Sequence, residues 1–242
     1  MSETPGIRGN LAGTLARAAA AVPCVTGRVL RSERLESSEP AAVERNLRDI
    51  ARINRWFGGH RTLLNLLKEF VEPANHFSIL DVGAASGDMG KCIVKRYPKA
   101  NVVSLDRQPI HLKRAHPPKV AADGLALPFA NGTFDFVMCS LLLHHFSDRE
   151  ITDLLKEMRR VAQRALIVLD LERHPFAYCF LPLTRLLFDW SDLTVHDGCI
   201  SVEAAFTCDE LATLGLTLCP LWATTRRHFP WFRLSLVVPG QQ

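Results

Sequence analysis

The seven cysteines (24, 92, 139, 179, 199, 208 and 219) include no C-x-x-C pair and no clustering at metal-ligand spacing. Several fall inside apolar runs, so reduced, buried thiols in a cytoplasmic protein are expected. A dense Lys/Arg run is also missing. The formal charge of +4 comes largely from arginines spread along the chain, which gives little footing for nucleic-acid binding. No transmembrane segment is expected: residues 11–22 are alanine-rich, but the stretch is short and Arg17 interrupts it. Glu3 stands where a secretory signal would be basic, and no cleavage signature follows. No internal repeat is visible.

What the chain does have is size and apolar content. Its 242 residues, 48% of them hydrophobic, suffice for one sizeable α/β core. Ser37-Ser38-Glu39-Pro40 marks a boundary, with Pro40 opening a helix. Residues 1–39 are expected to be an extension, a frayed helix or disordered, and residues 40–242 the folded domain.

The most informative stretch is residues 79–90, ILDVGAASGDMG. An apolar run ends in Asp81, a small-residue turn follows, and helix-forming residues come next. This pattern sets backbone N–H groups and a helix N-terminus against a ligand. A nicotinamide G-x-G-x-x-G/A fingerprint fails at Asp88. A P-loop fails at Ala85 and Cys92. What fits is an acid with small residues at alternate positions after it: Asp81, Gly83, Ala85 and Gly87.

On these residues the chain resembles the class I S-adenosylmethionine (SAM)-dependent methyltransferases, whose first motif is D/E-x-G-x-G-x-G. It departs at Ala85, where alanine is tolerable provided its φ stays negative. Further motifs arrive in family order. A β-rich run ends in Asp106, where an acid at the end of strand two accepts hydrogen bonds from ribose hydroxyls. The resemblance implies that Asp123 meets the adenine amine and that Gly124 or Leu125 donates a backbone N–H to the ring. It extends cofactor contacts to Ala84, Arg107, Ser140 and Leu141, and makes Arg61 a candidate partner for the cofactor carboxylate. The pattern LPF…FD.V followed by LLLHHF is typical of the ubiquinone/menaquinone-biosynthesis-type branch. The likeness covers roughly residues 50–171 well and the remainder loosely.

The implied architecture is a Rossmann-like α/β fold, a seven-stranded, mostly parallel sheet with helices on both faces. A helical lead-in, residues 41–72, breaks at Gly58-Gly59. Strands are expected at 77–82, 101–105, near 120, at 134–139, 164–170, 217–224 and 232–238, the last antiparallel. Helices are expected at 87–97, 148–161 and 208–214, the third capped by Thr207. Residues 171–206 form an insertion rich in Phe, Leu and Trp, placed where insertions overhang the ligand crevice. It is expected to build an apolar acceptor pocket for an aromatic or lipid-like molecule.

Methyl transfer needs alignment and, for a hydroxyl acceptor, a base. His145, after strand four, and His174 and His196, in the insertion, are the candidates; a structural role for His145 is the competing reading. Arg173 and the Arg226/Arg227 pair are candidate clamps for an anionic group. Ser140-Leu141-Leu142-Leu143 stands where nucleobase N-methylating relatives carry N/D-P-P-Y/F. Ser140 also replaces the first acidic magnesium ligand of catechol-type relatives, and Asp170 alone is a poor hard-cation site, so no metal is expected. The reading is O-methylation of a phenolic or polyketide-like compound. Alternatives are C-methylation of a quinone-like or lipid acceptor, and a catalytically silent SAM-binding protein.

Overall fold

The computed structural model describes residues 27–240. The readings made above for residues 3 and 11–22 lie outside them. Among the described residues no helix is long and apolar enough to cross a membrane.

Seven strands form one sheet: β1 (Phe77–Val82), β2 (Ala100–Asp106), β3 (Lys119–Ala121), β4 (Phe134–Ser140), β5 (Ala162–Leu171), β6 (Thr224–His228) and β7 (Arg233–Pro239). Their order is β3-β2-β1-β4-β5-β7-β6. The first five are parallel, while β7 runs antiparallel to β5 and β6 antiparallel to β7. Near-continuous apolar runs such as those of β1 and β4 are buried on both faces, as parallel strands under helices must be.

The helices are α1 (Pro40–Trp56), α2 (Gly59–Leu67), α3 (Asp88–Arg96), α4 (Asp148–Val161), α5 (Pro175–Phe188), α6 (Asp192–Ala204) and α7 (Cys208–Leu218). One core layer packs Leu154 and Met158 of α4 and Leu211 of α7 on the sheet. The other packs Leu63 and Leu66 of α2 and Ile93 of α3 on its opposite face. Reciprocal capping boxes, Ser147 with Glu150 and Thr207 with Glu210, set the starts of α4 and α7.

One expected strand is corrected. Residues 217–224 are not extended: α7 continues to Leu218 and β6 begins at Thr224. In the last turns of α7, Thr213 Oγ1 and Thr217 Oγ1 donate to carbonyls one turn back, at 2.9 Å each.

The insertion is a pair of helices, α5 and α6, laid against each other beyond the end of β5. A strap formed by residues 27–38 crosses them. Arg34 and Leu35 donate backbone N–H bonds of 3.1 and 3.0 Å to the buried Asp197 carboxylate of α6. Val29 N–H bonds Glu203 O at 3.2 Å, and Arg28 reaches Ala204 O, Phe146 O and Asp148. Replacing Asp197 by alanine removes both acceptors at the strap's centre. Limited trypsin digestion of Asp197→Ala is expected to cut at Arg31 and Arg34 faster than in the wild type; an unchanged rate would mean that the other ties suffice.

Candidate active site

The chain reverses its direction of travel across the sheet between β1 and β4, so a crevice opens at their carboxyl ends. There lies a cavity of about 920 Å³, walled by the loops after β1, β2, β3 and β4, by α1, by α6 and by the strap.

The loop after β1 is tight. Gly83 has φ +72°, and a Cβ there would lie 2.7 Å from Leu142 of the neighbouring loop. Gly87, at φ +66°, N-caps α3. Ala85 also has positive φ, +47°, contrary to the expectation that it stays negative. That conformation costs an L-residue about 1–2 kcal/mol. It is held in part because Ala85 N–H donates to Asp106 Oδ2 at 3.0 Å.

Asp106 ends β2 at the cavity wall. Burial alone would raise its carboxyl, but His111 and the N–H groups of Gln108 and Ala85 outweigh that and hold it below the usual range. Asp123 accepts from Leu125 N–H at 2.9 Å, closing a turn that leaves Gly124 on the lining. Asp81 is 1% exposed and its Oδ2 has no partner among the described residues. Burial, then the charges of Asp88 and Asp106, push this carboxyl well up. An unpaired carboxylate oxygen at a cavity wall suits a cationic group.

Gly83, Ala84, Ala85, Arg107, Ser140 and Leu141 all line the cavity. Gly87 is not on the lining; it sets the loop's exit into α3. Arg61 is corrected: it lies in a separate hollow with Arg55, His60 and Leu64, because α2 turns that face away from the sheet ends. The buried cation on the cavity wall is Arg233 of β7, which sequence reading missed. Its Nη2 donates to Asn54 at 3.0 Å, while Nη1 has no partner among the described residues. Burial lowers its pKa to about 10, so it stays charged at neutral pH. Nearby, His60 bonds Asp88 at 2.9 Å; although burial opposes it, bonding to Asp88 and Cys92 lifts it to about 9.

The loop after β4 carries the histidines. Leu141 takes φ +55°, and a single 3-10 turn, Leu143–His145, follows. His144 is buried, and its Nδ1 lies 2.6 Å from Oδ1 of the fully buried Asp170 at the end of β5. Burial opposes its cation, but Asp170 outweighs that and raises the imidazole. Asp170 is lowered in turn, its own burial outweighed by His144. His145 lines the cavity. Its side chain is 40% accessible, yet it is otherwise packed, and burial followed by the neighbouring His144 pulls it down to about 3. His145 is therefore neutral, but a shift this far down disfavours its cation and makes the ring, as it stands, a weak proton acceptor.

The other two candidate bases are not on the lining. His174 N-caps α5, accepting from Phe176 N–H at 3.2 Å, and stacks on Phe232 at 4.6 Å. His196 pairs instead with Asp197 at 2.9 Å. Arg173, Arg226 and Arg227 are taken up by Glu210, Glu69 and Glu172, respectively. Among the described residues one donor set could hold a metal: Glu33, His144 and His145. Its Glu–His separations of 3.9 and 3.8 Å exceed the roughly 3.4 Å kept by two donors about 2.1 Å from a tetrahedral ion.

Comparison with known proteins agrees with this geometry. A family described as "Methyltransferase domain" matches residues 79–165, the segment from β1 to β5. The ubiquinone/menaquinone biosynthesis C-methyltransferase UbiE of Paracoccus denitrificans is 30% identical over 145 residues, covering 54% of this chain and 55% of that protein. A malonyl-[acyl-carrier protein] O-methyltransferase of Legionella pneumophila is 33% identical over 91 residues, 34% of this chain and 31% of that one. The chain thus spans about half, or less, of the length of these curated relatives. Among solved structures, the plantazolicin methyltransferase BpumL in complex with a pentazolic desmethylPZN analog and SAH superposes with a TM-score of 0.58 at 12% identity, over 97% of this chain and 100% of that one. The fold is that of the class I SAM-dependent methyltransferases. Residues 79–165 match a methyltransferase domain.

Removing the Asp106 carboxylate should weaken SAM binding by about 1–3 kcal/mol, the cost of charged hydrogen bonds left unmade. Arg61→Ala should leave that affinity unchanged. Isothermal titration with SAM checks both, and the assignments fail if the two variants behave the other way round.

Proposed function

We propose that this protein transfers the methyl group of SAM to a hydroxyl of a small, mostly apolar acceptor of phenolic or polyketide-like type. One observation carries the reading: a histidine, His145, faces the cavity while its neighbour His144 is fixed by buried Asp170.

The cofactor supplies an electrophilic methyl group; the residues supply binding, alignment and proton removal. Asp81 suits the ammonium group and Arg233 the carboxylate, each having an unpaired polar atom at the wall. Asp106 suits the ribose, and Asp123 with Gly124 the adenine, as the motif order implies. At the far end, Leu30 of the strap, Phe57 of the α1–α2 turn, Phe180 and Leu181 of α5, and Ile200 of α6 give the acceptor an apolar enclosure. His145 takes the acceptor's proton as its oxygen is alkylated. The insertion, residues 171–206, is in this reading the acceptor-pocket element, and residues 27–39 belong functionally to the domain they cover. The free thiols among the described residues support a cytoplasmic setting, and neither nucleic acid nor metal is required.

C-methylation of a quinone-like ring is the second reading, favoured by the UbiE relative. A radiolabel transfer assay over phenols, quinols and lipids separates the two. SAM binding without turnover anywhere in that panel would favour a silent binding protein. His145→Ala should leave SAM affinity intact and slow transfer about 10²–10⁴-fold. A smaller loss would return His145 to a structural role.

A further inference from the structure

The strap brings one carboxylate, that of Glu33, to the acceptor end of the cavity, whose lining it also shares through Arg31. Glu33, whose side chain is only 12% accessible, places Oε1 3.9 Å from His144 Nε2 and 3.8 Å from His145 Nδ1. Ser201 Oγ of α6 donates to the same oxygen at 2.5 Å and fixes its place. The other ring nitrogen of His144 is bound to Asp170 at 2.6 Å. Carboxylate and imidazole therefore alternate in space: Asp170, His144, Glu33, His145. The last ring faces the cavity.

We propose that Glu33 is a positioning residue for methyl transfer, coupling the buried Asp170–His144 pair to His145 and directing Nε2 of His145 at the acceptor hydroxyl. The proposal rests on the reading of His145 as the base. An imidazole whose Nδ1–H points at a carboxylate presents Nε2 as the proton acceptor, and the carboxylate stabilises the imidazolium that results. The present 3.8 Å is longer than a hydrogen bond. Catalytic hydrogen bonds of this kind tighten when the acceptor is in place.

The step balances. The acceptor O–H bond breaks and its proton passes to His145 Nε2, while the acceptor oxygen gains the methyl group. Nδ1–H of the imidazolium is then paired with Glu33, and the sulfonium charge is lost with the methyl. The charged groups acting on the two rings are Asp170 from β5, Glu33 and Arg28 from the strap, and Asp106 from β2. Arg233 of β7 acts on Asp170 in turn. Glu33 adds to Asp170 in favouring the His144 cation, and that cation in turn disfavours one on His145. A carboxylate drawn onto His145 Nδ1 offsets this repulsion, which gives Glu33 a function that burial of the histidines alone cannot supply.

The test is Glu33→Gln, which keeps the size of the side chain and an acceptor for Ser201 but removes the charge, with Glu33→Asp as the charge-restoring variant. Histidine ring signals are followed by ¹⁵N-resolved NMR across pH in the full chain. His144 should titrate at lower pH in Glu33→Gln and return toward wild type in Glu33→Asp. In the radiolabel assay, kcat of Glu33→Gln should fall about 10–100-fold, part of what a general base contributes, with SAH affinity and acceptor KM unchanged. The proposal is overturned if both rings titrate as in the wild type, or if the charge-free variant turns over at the wild-type rate. The ring titration needs no acceptor, so it decides the coupling by itself. Full activity in His145→Ala would instead sink the base reading while leaving the titration result standing.

Discussion

Everything in the site depends on β1 and β4 lying side by side, with Val82 level with Cys139. Parallel neighbours release their following loops at the same end of the sheet, so the glycine-bearing loop and the histidine loop must share one wall. They are close enough that Leu142 occupies the space a Cβ on Gly83 would fill. The two loops that share this cavity wall are thus set by one strand pairing, and positive φ values at Ala85 and Leu141 mark where the backbone bends to meet it.

Burial of charge is the second constraint. Asp81, Asp170, His144 and Arg233 are each at most 3% exposed, where an unpaired ion is costly. Two of the four solve this by pairing with each other: Asp170 and His144 hold one proton between them in a short contact. Asp81 and Arg233 keep unpaired polar atoms at the cavity wall instead, which suits a zwitterionic ligand carrying the complementary charges.

The part of the site that local pattern could reveal was legible. Asp81, Gly83, Asp106, Asp123 and Gly124 sit where a strand ends and a turn begins, and all reach the one cavity. What local pattern could not reveal came from pairings far apart in sequence. Arg233 joins the wall from β7, beside Asn54 of α1, whereas Arg61 turns into another hollow. His174 and His196 look identical to His145 as letters, yet one caps a helix and the other pairs with its neighbour Asp197. Residues 217–224 read as a strand, but the helix runs to Leu218, a turn follows, and the strand starts only at Thr224.

Sequence by itself determined the carboxyl ends of the parallel strands, the small-residue turn and the order of the acids, because those follow from short-range sterics and hydrophobic period. Only the tertiary structure decided which charges meet. Glu33, in a segment set aside as an extension, reaches His144 and His145 because the strap docks on Asp197 and Glu203 of α6. Such an encounter spans over a hundred residues of chain, and its energy comes from desolvated contacts that no local spacing encodes.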